Sequence, residues 1–195
     1  MFEADWNEVY DFKDFVANKD SDKNHAKMFM ASCDTVLERE LSGYRFVGGR
    51  ITEISSKEEI AEIDSALATP LQPVSDHLQR ALELFADKKN PDYRNSIKES
   101  ISAVESICNL ITKDKKATLG KALDAIEKQG KVALHPALKR SFDSLYGYTS
   151  SADGIRHAML DEPTITADDA RFMLVSCSAF VNFLISKASD SGIKL

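Results

Sequence analysis

The sequence predicts an all-α fold, a bundle of helices with one short β-hairpin toward the N-terminal end. Apolar residues recur at intervals of three and four along nearly the whole chain, which is the spacing of a helix that buries one side. Only one segment alternates with the period of a strand, and the pair Gly48-Gly49 divides it. At 195 residues, the chain is also long enough to bury a sizeable core.

The N-terminal part predicts two helices, the hairpin and a third helix, in that order. The first helix is expected to start almost at Met1, and the second to run from 22 to 41. The hairpin is expected over 44–54, and a short acidic helix follows Ser56, which stands in capping-box spacing with Glu59. The expected apolar sides are Trp6, Val9, Tyr10 and Phe12 to Phe15 in the first helix, and Met28, Met30, Cys33, Val36, Leu37 and Leu41 in the second.

A boundary between two units is predicted near residue 70. Thr69, Pro70 and Pro73 interrupt the helical pattern there, since proline lacks the N–H that a helix interior needs. We therefore expect a small N-terminal helical subdomain over 1–69 and a helical bundle over 70–195.

The apolar spacing of the second half predicts five helices. The longest carries a regular apolar stripe, and the last is apolar almost all round, so we expect it to be central or to lie in a subunit interface. The expected ranges are 74–87, 91–112, 118–128 (stopping at Gly130), 136–147 (ending at Gly147) and a final helix opening at Thr166, with Asp168 and Asp169 in its first turn. The stripe of the long helix is Ile97, Ile101, Val104, Cys108 and Ile111.

Charge and cysteine usage narrow the class of protein. Because 31 acidic residues exceed 25 basic ones, no overall positive field attracts nucleic acid, and any RNA contact must come from a local patch. The three widely spaced cysteines, without a CxxC pair, indicate buried thiols in a reducing compartment. No secretory signal is apparent, and the most apolar run, 172–185, is too short to span a bilayer. We expect a cytoplasmic protein that contacts no membrane and uses no metal or cofactor.

An ordered series of motifs carries a family resemblance. The series resembles the HEPN-type helical domain of bacterial abortive-infection proteins, specifically the AbiJ N-terminal-domain type, over roughly 74–187. The segment Leu41–Val47 and the acidic helix after it resemble the same proteins. The motifs are Asn90–Glu105, Ala117–Leu123, His135–Leu138, Leu145–Thr149, Asp153–Ala158 and Phe172–Phe180.

The resemblance implies a dimeric helical domain of phage-defence and toxin systems. Many relatives are metal-independent RNases that cut with an arginine and a histidine from each subunit, facing across the dimer interface. In active members the histidine follows the arginine after four to six intervening residues, and no arginine of this chain has a histidine at that separation. The nearest substitute is the adjacent pair Arg156 and His157, which combines a fixed cation with a group that titrates near neutral pH.

The candidate site therefore has two interpretations. In the catalytic one, Arg156 and His157 from two copies act on RNA. In the structural one, Arg156 bridges neighbouring carboxylates while His157 caps or packs a helix end. Residues expected to help bind RNA are Arg94, Lys115, Lys116 and Tyr148, the lysines belonging to a basic cluster with Lys113 and Lys121.

The remaining polar candidates are weaker. Glu105 is expected to be partly buried beside a cation, with a catalytic role as the alternative. His135 is expected to start a helix, whereas His25 and His77 lack a second metal ligand three or four residues away and are expected among solvated residues.

Two functions remain open for the whole chain. One is an endoribonuclease or toxin of anti-phage abortive infection that works as a homodimer. The other is a non-catalytic HEPN module that dimerises, regulates, or senses a partner protein, an effector domain or a nucleotide.

Overall fold

A computed structural model of the chain describes residues 4–114, 119–128, 135–150 and 165–195. Within these ranges the chain forms eight helices and one antiparallel pair of strands, so the predicted all-α fold with a short hairpin is confirmed. The elements are α1 (Trp6–Lys19), α2 (Lys23–Arg39), β1 (Arg45–Val47), β2 (Arg50–Thr52), α3 (Lys57–Leu67), α4 (Gln72–Ala86), α5 (Tyr93–Thr112), α6 (Leu119–Lys128), α7 (Pro136–Ser150) and α8 (Ala167–Asp190).

The first helix starts later than its apolar pattern predicts. It begins at Trp6 rather than near Met1, because Asp5 occupies the N-cap position. The backbone N–H of Asp5 donates to the carboxylate of Glu8 at 3.3 Å, which satisfies a donor that would otherwise lack a partner at the helix start.

The expected apolar side of α2 is wrong at three positions. Leu37 is buried, and Met30 and Cys33 pack on the apolar cluster of α1 and the hairpin, but Met28 is 68% exposed, Val36 45% and Leu41 91%. The reason is that α2 is covered along a narrow strip by α1 and β1, so only residues near the Ala26–Leu37 line reach the core. Leu41 lies beyond the helix end, with a left-handed φ of 54°.

Three aspartates on three different helices hold the hairpin. The backbone N–H of Ile51 donates to Asp14 of α1 at 2.7 Å, that of Phe46 to Asp34 of α2 at 2.8 Å, and that of Gly48 to Asp64 of α3 at 2.9 Å. The strands pair with Arg45 opposite Thr52 and Val47 opposite Arg50. Because a two-stranded hairpin is marginal alone, these side-chain acceptors are what fix it among the helices.

The turn of the hairpin is partly exposed and packs against two helices. Gly48 has φ of 53°, and a Cβ atom there would come within 2.6 Å of the Leu67 side chain and 2.7 Å of the Leu82 side chain. The left-handed backbone favours glycine at this position, and a larger residue would also displace the ends of these two leucine side chains.

The core lies between α4, α5 and α8. All five residues of the predicted α5 stripe are buried, as expected. On the side toward α4, the Ser96 hydroxyl donates to the Ala81 carbonyl at 2.8 Å, so this buried polar group is satisfied while its small size lets the two helices approach. Side chains of the hairpin and α3 join the same apolar cluster, among them Val47, Ile54 and Ile63.

The last helix is central, as its apolar composition predicts. Thr166 caps it, and Asp168 and Asp169 lie in its first turn. It has 24 residues with a stretch of mean hydropathy 1.5, so by length and composition alone it could cross a membrane, unlike the shorter run 172–185. Inside the described part of the molecule, 44% of that stretch is buried, and a buried core helix of this length and composition passes the same test.

The boundaries of the other bundle helices differ little from expectation, with one exception. α7 continues through Gly147 to Ser150, because Leu145 and Tyr146 pack on the core and Thr149 donates to the Tyr146 carbonyl at 2.9 Å. The expected stop of α6 at Gly130 lies outside the described residues. The boundary between 1–69 and 70–195 stays a prediction.

Candidate functional site

The predicted catalytic pair is not among the described residues. Arg156 and His157 lie outside them, as do Lys115 and Lys116 of the expected RNA-binding set. The carboxylates expected to bridge Arg156 in the structural interpretation also lie there. The assigned roles of these residues therefore stay predictions.

Arg94 and Tyr148, the two other predicted RNA-binding residues, stand at ends of different helices. Arg94 is half-buried in the first turn of α5. Tyr148 is exposed in the last turn of α7. Partial burial, reinforced by the charge of Asp169, raises the pKa of the Tyr148 hydroxyl. The phenol is thus a neutral hydrogen-bonding group at physiological pH.

His77 is not the isolated solvated residue that the sequence pattern suggests. Its Nδ1 lies 2.7 Å from Oε2 of Glu99 on the facing helix α5, and both side chains are partly buried. A carboxylate at one ring nitrogen fixes the orientation of the histidine ring. The sequence does not predict this pair, because no spacing rule links residues 22 positions apart. The available signal is that His77 and Glu99 each lie beside the apolar stripe of their own helix.

The other weak candidates have structural roles. The Ala137 N–H donates to Nδ1 of His135 at 3.2 Å, so His135 does start α7 as expected. Glu105 is half-buried; together with burial, the larger cause, its charge raises the pKa of the Cys108 thiol to about 12. Burial alone raises the pKa of Cys177 to about 12. Both thiols are therefore protonated and unreactive at neutral pH.

A polar cleft that the sequence does not predict separates α1 from the α4–α5 turn. Lys88 lies at its base with a side chain only 4% exposed, and its Nζ is 2.9 Å from Asp14 and 3.4 Å from Asp11. Two adjoining cavities of about 410 Å³ each meet there, and Arg50 borders both. Since Arg50 pairs with Glu83 at 3.8 Å, positive and negative groups alternate around the cleft, which gives it no net preference for an anion.

Within the part of the chain that the structure describes, no three histidine, cysteine or acidic side chains are grouped closely enough to hold a metal ion.

Fold and site together define a helical-bundle protein with one short hairpin. Residues 1–69, which contain α1, α2, the hairpin and α3, match the family model described as AbiJ N-terminal domain 4. The expected resemblance to the AbiJ N-terminal-domain type is thereby confirmed, and a domain of this type points to abortive-infection defence. The likeness of 74–187 to the HEPN-type domain stays a prediction. No curated protein and no solved structure matches the chain.

Proposed function

We propose that this chain acts in anti-phage abortive infection as a homodimeric HEPN-type module that cleaves RNA with Arg156 and His157 supplied by both copies. The observation that carries the defence role is the match of residues 1–69 to AbiJ N-terminal domain 4. The helical bundle that follows is the architecture that such a module requires.

The chemistry of metal-independent RNA cleavage needs three groups. A base removes the proton of the 2′-hydroxyl, whose oxygen attacks the adjacent phosphorus and forms the new P–O bond. A cation stabilises the charge of the pentavalent transition state, and an acid gives a proton to the departing 5′-oxygen. His157 of one copy would be the base, Arg156 the cation, and His157 of the partner copy the acid. The proposal takes the second histidine from the partner copy because one chain has a single histidine beside Arg156.

RNA binding in this proposal uses the second predicted set. Lys115 and Lys116 would neutralise phosphates, Arg94 would add a cation, and the exposed ring of Tyr148 would stack on a base. Because the chain is acidic overall, binding should depend on these local cations and weaken steeply as salt is added.

The test is degradation of total RNA in the presence of a metal chelator by wild type, Arg156→Ala and His157→Ala. We expect cleavage by wild type and a loss of at least about a hundredfold in each variant, as is usual for removal of a general base or a charge-stabilising donor. The matched controls are Arg39→Ala, an exposed arginine paired with Glu40, and His77→Ala, the histidine paired with Glu99. Both controls should cleave as wild type does. Equal, negligible cleavage by wild type and Arg156→Ala would remove the nuclease proposal, and loss of cleavage only in His77→Ala would move the site to α4.

The second candidate is a non-catalytic module of the same defence system that binds a partner. Two observations favour it: no arginine of the sequence has a histidine at the active-family separation, and α1 exposes a row of apolar side chains. In that case wild type would protect cells from phage in a plaque assay without cleaving RNA, and Arg156→Ala would protect equally well.

A further inference from the structure

Helix α1 carries large apolar side chains that are exposed in the described part of the chain: Trp6 at 56%, Val9 at 40%, Phe12 at 65% and Phe15 at 59%. The helix packs on the protein through Tyr10, Asp14 and Ala17, and the Trp6 ring lies 5.8 Å from the Tyr10 ring and 5.7 Å from the Tyr44 ring. Phe12 and Phe15 are three residues apart and share the outward side of the helix, whereas Trp6, nine residues before Phe15, points to the opposite side. Two exposed phenylalanine rings side by side on one helix face mark an interaction surface. We name Phe12 and Phe15 the α1 row.

We propose that the α1 row is a docking surface for a second copy of this chain, with the two α1 helices antiparallel about a two-fold axis. This contact lies within residues 1–69 and is separate from the Arg156 and His157 site, so either proposal can fail while the other stands.

The distribution of charge along α1 favours a second copy of this helix in antiparallel orientation as the binding partner. Among its exposed or half-buried charges, the first half of the helix carries Glu8 and Asp11, preceded by the cap Asp5, and the second half carries Lys13 and Lys19. Asp14, also in the second half, is buried in its ion pair with Lys88, which lies 3.4 Å from Asp11 as well. An antiparallel copy sets each acidic half against a basic half, whereas a parallel copy would set like charges together. The helix dipoles also oppose each other favourably in the antiparallel arrangement.

Glu8 and Lys19 are the pair that can report on the contact. They are eleven residues apart, close to three helical turns, so both flank the α1 row on the same side of the helix. In a two-fold antiparallel pair, equal flanks face each other, which brings Glu8 of one copy near Lys19 of the other. Both side chains are exposed in the single chain.

The surface chemistry argues against a lipid membrane as the occupant. Asp5, Glu8 and Asp11 lie along the same helix as the α1 row and would be repelled by an anionic headgroup layer. Because the contact rests on a few side chains of one helix, the pairing should be reversible and depend on protein concentration.

The experiment is sedimentation equilibrium of the full chain over a concentration series. Wild type should show a mass-doubling step that is lost in Phe12→Ser/Phe15→Ser. The matched control is Met28→Ser/Val36→Ser, which removes two exposed apolar side chains from α2 and should leave the step unchanged. If the helical bundle also dimerises, the mass-doubling step appears as an association of dimers into tetramers. Arg156→Ala should not abolish this association.

A charge swap tests direction and register. Glu8→Lys and Lys19→Glu should each weaken the association about tenfold, since each reversal acts twice in a symmetric pair, and the double variant should restore it. The thermal midpoint of each variant is measured alongside, because Glu8 also accepts the Asp5 N–H.

Three outcomes would overturn the proposal. The first is an identical mass profile for wild type and Phe12→Ser/Phe15→Ser. The second is a folded double charge variant that associates no better than the single ones. The third is a chain that stays monomeric and instead binds vesicles of phosphatidylcholine and phosphatidylglycerol through the α1 row.

Discussion

At the scale of single residues, the most consequential contact is the ion pair between Lys88 and Asp14. Both side chains are buried, at 4% and 6% exposure, and Asp14 also accepts the Ile51 N–H through its second oxygen. One aspartate thus joins α1, the hairpin and the α4–α5 turn. Buried pairs contribute little relative to an apolar replacement of both partners, but removing one partner leaves a charge without compensation.

We therefore expect Lys88→Met to lower the free energy of unfolding by about 3 kcal/mol, because Asp14 would remain buried beside an apolar side chain. Urea denaturation at neutral pH measures this change. Lys57→Met is the control: Lys57 is exposed and pairs with Glu38 at 3.1 Å, and its loss should cost less than about 1 kcal/mol. Equal losses in the two variants would contradict a structural role for the buried pair.

At the scale of elements, the hairpin is stabilised by carboxylates whose own burial is unfavourable. Burial raises the pKa of Asp34 and Asp64, and the backbone N–H that each accepts only partly offsets this. A carboxyl whose pKa is higher in the folded state favours folding when protonated. Its contribution is complete below its unfolded pKa and is lost as the pH rises through the folded value.

Asp64→Asn should therefore make the protein more stable than wild type at pH 7, because asparagine keeps an oxygen to accept the Gly48 N–H without a buried charge. The advantage should shrink as the pH falls and vanish below the ordinary aspartate value of 3.8. Thermal midpoints of both proteins between pH 3 and pH 8 measure it. A variant that is less stable at every pH would show that the carboxylate itself, rather than an acceptor oxygen, is needed at the turn.

In the central helix α8, the stability effects of substituting a buried and an exposed residue can be compared. Leu174 is fully buried, whereas Phe172 two positions earlier is exposed. Leu174→Ala should cost about 2 to 5 kcal/mol because it leaves a cavity in the core. Phe172→Ala should change the free energy of unfolding by less than about 1 kcal/mol. Denaturant titrations of both variants measure the difference, and a large cost at Phe172 would indicate that this ring packs against another chain.

At the scale of the whole molecule, local sequence patterns predict the helices and the hairpin but not how these elements pack against one another. The apolar stripe of α5, the Gly48-Gly49 turn and the Thr166 cap are each set by residues close in sequence, and each is confirmed. The wrong expectations concern α1 and α2, where apolar spacing predicts a buried side without saying whether a partner covers it. Phe12 and Met28 are accordingly exposed.

The same distinction applies to candidate sites. Lys88 and Asp14 are 74 positions apart, and His77 and Glu99 are 22 apart, so their pairing follows from the assembly of helices and not from any spacing rule. Composition excludes an overall positive field, and the residues that match the AbiJ N-terminal domain, 1–69, include the Leu41–Val47 segment and the acidic helix after it but not the motif series of 90–180. The roles of Arg156 and His157 depend on a second copy, which a single sequence does not specify.

The packed turn at Gly48 has a practical consequence for labelling this protein. Exposed hairpin tips are usually the places where a foreign peptide or fluorophore is inserted without harm. Here the ends of the Leu67 and Leu82 side chains lie against Gly48, so an insertion at this glycine would disturb the packing of α3 and α4 against the turn. A reporter is better attached near Leu41, which already projects into solvent on the far side of β1 from that turn.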